Sequence, residues 1–135
     1  MTYQYSVTVR DARLDADLVS IGPSPRIRFF SGSLTANCAA PDPLGVLANF
    51  TLPAVWLSAA AAGIRALAGV WIGSAICAGK IISFRIYNNA GTVCHIQGDV
   101  AITGTPGAAM TVDNPNVAVD QLITVTQYTV TAGNA

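Results

Sequence analysis

Hydrophobic and polar positions change their period once along this chain of 135 residues. Near the start, Val9, Ala12, Ala16 and Val19 recur at three- and four-residue spacing, which lines one face of a helix. Arg10, Asp11, Arg13, Asp15 and Asp17 sit mostly on the rest, and Arg13 stands one turn from Asp17. The spacing predicts a helix from roughly Tyr5 to Ile21, stopped by Gly22 and Pro23. From Arg26 onward the period is two. In RIRFF, Arg26 and Arg28 alternate with Ile27 and Phe29, giving one cationic and one apolar face. A turn-rich stretch, SGSLTANCAAPDPLG, leads to a second strand, VLANFTL. AVWLSAAAAG reads as a short helical turn, IRALAGVW as a strand, and KIISFRIY as a strand with Ile82, Phe84 and Ile86 on one face.

The clearest hairpin is FRIY-NNAG-TVCHI, two β runs joined by a turn signal. Strict alternation there puts Cys94 with Ile96 and His95 with Gln97. After the loop TGTPGAA come MTVDN, an NPN turn, and a long final strand, QLITVTQYTVTA. Alternation in that strand sets Leu122, Thr124, Thr126, Tyr128 and Val130 on one face. Short strands at regular spacing predict a mainly β, antiparallel sandwich or jelly-roll-like fold with a short N-terminal helix. The chain length allows one domain, divided into an N-terminal helical arm over 1–22 and a β body over 23–135.

Composition narrows what such a body can do. Hydrophobic residues make up 52% and charged residues only 10%, against about 25% in an average globular domain. Mean hydropathy is +0.49. Seven basic residues cancel seven acidic ones, and every acid is aspartate. This balance excludes the strongly basic footprint that duplex nucleic acid requires. It also removes the self-repulsion that keeps monomers apart, so much of the surface is expected to be covered by copies of the chain or by a partner. A threonine-rich, uncharged monomer is the other outcome this composition allows.

Residues 52–79 carry one charge, Arg65, and are long enough to span a membrane. A cation near the middle costs about 2.5–3.5 kcal/mol there, and alanine and glycine dilute the apolar drive. The segment is therefore expected inside a folded body, with no membrane partner. The opening MTYQYSVTVRDARLD lacks the apolar core of a secretory signal. Cys38, Cys77 and Cys94 form an odd set without metal-knuckle spacing, which suits a reducing compartment, although one disulfide plus a free thiol is open.

Candidate chemistry centres on Cys94 beside His95, the only histidine. Neighbours in a strand point to opposite faces, so they do not share a proton, and the expectation is a core thiol beside an outward imidazole. A zinc site needs three or four ligands, and the available set is three scattered cysteines and one histidine. Asp99, Asp113 and Asp120 form no calcium loop, and DNPN reads as a turn. No catalytic, cofactor or metal set is expected. Trp56 and Trp71 read as core or interface anchors. Arg26, Arg28, Arg65 and Arg85 are the notable cations, with Arg26 and Arg28 suited to carboxylates on another subunit.

The combination RLDADLVSIGPSPRIRFFSG, ANCAAPDPLGVLANFTLP and FRIYNNAGTVCHIQGDV resembles small virion proteins of tailed bacteriophages, over nearly the whole chain. The resemblance implies a capsid decoration or cement protein, made in the bacterial cytoplasm and carried on the capsid surface. Its partners would be the major capsid protein and copies of itself, as dimers or trimers. A collar, tail or fibre-associated virion protein is the alternative, and a cysteine hydrolase or lectin-like hydrolase the enzymatic one. For the adhesive role the expected interface residues are Arg10, Arg13, Arg26, Arg28, Phe29, Phe30, Trp56 and Trp71.

Overall fold

The computed structural model describes residues 3–132. It is mainly β, with one helix, α1 (Val7–Ile21). Ser6 starts the helix by accepting the Val9 N–H on its hydroxyl at 3.2 Å, and Gly22 ends it by donating its N–H to Leu18. The strands follow as β1 (Arg26–Phe30), β2 (Val46–Thr51), β3 (Ile64–Ala66), β4 (Ile72–Ser74), β5 (Gly79–Lys80), β6 (Ser83–Tyr87), β7 (Cys94–Ile102), β8 (Met110–Val112), β9 (Asn116–Val117) and β10 (Leu122–Thr131).

The main sheet runs β2-β1-β6-β7-β8-β10-β3, with β4 also on β10, while β5 and β9 form a separate ribbon. Pairing is antiparallel except for β7 with β8. That parallel pair overlaps only at Val100–Ile102 and Met110–Val112, so a short connection suffices where a full crossover needs a dozen residues or more.

The sheet curls into a sandwich-like body. In a flat sheet β6 and β10, three strand steps apart, would lie about 14 Å from each other. Yet the Phe84 and Tyr128 rings meet edge to face at 5.8 Å. Beyond β4, Ala75 bridges Ala48 of β2 and the Ile76 N–H donates to Leu47, which joins the two ends of the curl. The enclosed core includes Ile27, Phe29, Phe84, Ile86, Met110, Val112, Ile123 and Val125. Trp56, Trp71 and Tyr128 run through it with centroids 6.0 and 5.4 Å apart.

Four local expectations are corrected. Residues 54–63 form no helical turn. Trp56 and Leu57 enter the core, and Ala61 and Ile64 exchange both backbone hydrogen bonds around Ala62 and Gly63. Both central residues have positive φ, 52° and 74°, the signature of a tight type I′ hairpin turn. The strand read over KIISFRIY breaks at Ile81 and Ile82, so Ile81 is the buried one of the two. The strand at 64–71 shortens to β3.

The fourth correction concerns α1. Its buried face carries Leu14 and Ile21, with Leu18 packed against the core; Val9 and Val19 are 43% and 84% exposed. The expected inner stripe of Val9, Ala12, Ala16 and Val19 points outward. Leu14, Leu18 and Ile21, at four- and three-residue steps, bury more apolar area than a stripe half made of alanine. Polar contacts fix the same orientation. Asp11 accepts the Gly63 N–H at 2.8 Å, and Asp15 pairs with the buried Arg65. The N-terminal segment is thus docked on the body along β3.

Candidate functional site

On its outer face the β1–β6–β7 sheet carries a polar network, roofed by the loop over 31–45. The loop base is pinned by Ser31 N–H to Gly45 O and Gly32 N–H to Leu44 O, both 2.9 Å. Beneath it lies Arg85, whose side chain is 2% exposed. Its guanidinium donates to Ala40 O and Asp42 Oδ1, both at 3.1 Å, to Thr35 Oγ1 at 2.6 Å and to Asn37 O at 3.1 Å. Arg28, opposite Arg85 in the register, donates to Asp42 Oδ2 at 3.2 Å and to Gly91 O at 3.0 Å. Its guanidinium also lies 4.1 Å over the Tyr87 ring. The Tyr87 hydroxyl donates to Asp42, and burial with that contact holds the phenol protonated, pushed up to about 12.

A bulge in β7 completes this face. Tyr87 stands opposite Cys94, but Ile86 stands opposite Ile96, so His95 is the extra residue. Cys94 therefore shares the outer face with Gln97, opposite Arg85, and Ile96 turns to the core. This reverses the pairing of faces expected from alternation. Gln97 Nε2 donates to Thr35 O at 2.9 Å. Cys94 is half-buried under the loop, with its Sγ 2.8 Å from that of Cys38. Burial and the neighbouring Cys38 thiol push the Cys94 thiol up to about 12. His95 is exposed, and no hydrogen bond joins it to Cys94 among the described residues.

The eight expected interface residues lie in different settings. Phe29, Phe30, Trp56 and Trp71 are buried, all within 1% of complete burial, and present no ring to a partner; they are core. Burying such large apolar area inside the chain outweighs leaving it for a neighbour. Arg28 is already committed to Asp42, whereas Arg26 makes one long contact, to Asn49 Oδ1 at 3.4 Å. Arg10 lies half-buried against Gly63. Arg13 remains exposed, its guanidinium 4.9 Å over Tyr5, and forms no direct ion pair with Asp17 among the described residues.

What composition did not reveal is where the exposed apolar groups gather. Where the end of α1 meets the 54–56 segment, Leu18, Gly22, Pro23, Ala54, Val55 and Trp56 line an open groove of about 240 Å³. Val55 and Val70 are 72% and 68% exposed. A second outward patch follows from register. Ile72 opposes Thr124 and Ser74 opposes Leu122, so Ile72 and Leu122 are diagonal neighbours on the exposed face of β4 and β10. This groove and two others, of about 190 and 290 Å³, fall below the roughly 300–1,000 Å³ usual for small-molecule sites. Among the described residues no three His, Cys, Asp or Glu side chains are grouped to hold a metal, and no helix is long and apolar enough to cross a membrane. No protein-family model, curated protein or solved structure matches the chain.

Proposed function

We propose that this chain is an adhesive structural protein, a capsid decoration protein that binds across neighbouring major capsid subunits of a tailed bacteriophage head and stabilises the shell. The observation that carries the reading is the inverted helix. A stripe of Val9, Ala12, Ala16 and Val19 is held outward by a docked opposite face, and an apolar groove opens at Val55. An exposed apolar stripe on a rigidly seated element is the form a partner-binding surface takes. With no net charge, nothing in the molecule's overall field opposes close packing. The resemblance to small virion proteins supplies the identity of the partner.

Such a protein acts by mass action. Binding only the assembled shell raises the free energy of opening it. A capsid repeats the site many times, so a modest contact becomes large by multivalency.

The test is cosedimentation of the purified chain with shells that lack it. Val19→Asp lies on an exposed position and should alter stability by no more than about 0.5 kcal/mol. It should weaken shell binding about tenfold or more, equivalent to at least about 1.4 kcal/mol. A wild-type chain that never cosediments with shells would overturn the reading.

A further inference from the structure

We propose that Cys38 and Cys94 close a reversible disulfide that clasps the 31–45 loop to the outer face of the sheet. The inference goes beyond the adhesive role and stands without it. Its first support is proximity: the two Sγ atoms are 2.8 Å apart, against about 2.05 Å in a formed bond. Its second is that both partners are held in place by separate structure. Arg85 grips the carbonyls of Asn37 and Ala40, on either side of Cys38, and Asn37 Oδ1 accepts the Ala39 and Ala40 N–H groups. Cys94 is fixed by the β7 bulge, opposite Tyr87. Little loop movement is needed to bring the sulfurs to bonding distance. The third cysteine, Cys77, is exposed and belongs to neither element.

The co-reactant is a low-molecular-weight disulfide of the glutathione class. A Cys38 thiolate attacks one of its sulfurs, breaking that S–S bond, forming a mixed disulfide and releasing one small thiol. The Cys94 sulfur, losing its proton to solvent, then attacks the Cys38 sulfur and expels the second small thiol. Two protein thiols are oxidised and one small disulfide is reduced to two thiols. The clasp would stay open in reducing surroundings and close in oxidising ones.

The Cys77→Ser chain, exchanged into oxidised glutathione, should become two hydrogens lighter and give a Cys38–Cys94 peptide on non-reducing digestion. It should then take up no maleimide until reduced. The cross-link spans 56 positions, so the thermal midpoint should rise by about 10 °C and fall back with dithiothreitol. Adding Cys38→Ser should abolish that rise. Accumulation of glutathione adducts on Cys38 or Cys94 without closure would overturn the proposal. So would one midpoint shared by the oxidised and reduced chains. Neither result bears on shell binding, which cosedimentation reads separately.

Discussion

At Asp42 one carboxylate serves two guanidiniums and a phenol, while its own side chain is still 36% exposed. Removing it leaves Arg85 buried without its charge partner. Loss of one partner in a fully buried pair costs about 3–5 kcal/mol, and the partial exposure of Asp42 lowers the expectation for Asp42→Ala to about 2 kcal/mol. The loss should appear locally. Thermolysin should cut the variant at Leu34 or Leu44 well before the rest of the chain, and the wild type only on global unfolding. Equal cutting of both proteins would show that the loop is held by something other than this carboxylate. Ordinary sequence signals hint at part of this cluster: Arg28 and Arg85 stand out in a chain so poor in charge. Their convergence on Asp42 does not, because the partner lies in an irregular loop whose path no periodicity reports.

The helix and strands show where pattern reading succeeds and where it stops. The helix ends, RIRFF, the NNAG hairpin and the DNPN turn are legible because each rests on local chemistry. Asp113, for example, accepts the N–H groups of Asn114 and Thr124. Faces are lost wherever a residue is inserted. The bulge at His95 moves Cys94 away from Ile96, and another between Val125 and Gln127 divides the expected face of β10. Leu122 and Thr126 there face outward, and Tyr128 inward. One extra residue inverts every later side chain, and alternation carries no mark of it. On α1 the competition was between two stripes, and the larger side chains won. Docking that face partly buries Asp17, which raises its carboxyl above 3.8 despite the attraction of Arg65 and Arg13. A raised acid favours folding while protonated, so this stability is present below about pH 3.8 and is lost as pH climbs through the raised value. Asp17→Asn should therefore melt above the wild type at neutral pH, with the gap closing under acid. A gap that is constant across pH, or reversed at neutrality, would contradict that reading.

Across the whole molecule, the division of labour among apolar groups explains both stability and the proposed adhesion. The aromatics fill one continuous core, and truncating Trp56 or Trp71 to alanine should cost about 3–5 kcal/mol. Smaller aliphatic side chains, Val9, Val19, Val55, Val70, Ile72 and Leu122 among them, stay on the surface. Fourteen charged residues, several already spent on internal pairs, leave little to keep that surface wet. The most direct test is hydroxyl-radical footprinting of the free chain against the chain in purified phage particles. Burial of the outward helix stripe predicts strong protection of Val9, Val19 and Val55 in the particle, with the already buried Trp56 and Trp71 unchanged. Equal labelling of those valines in both states would contradict it.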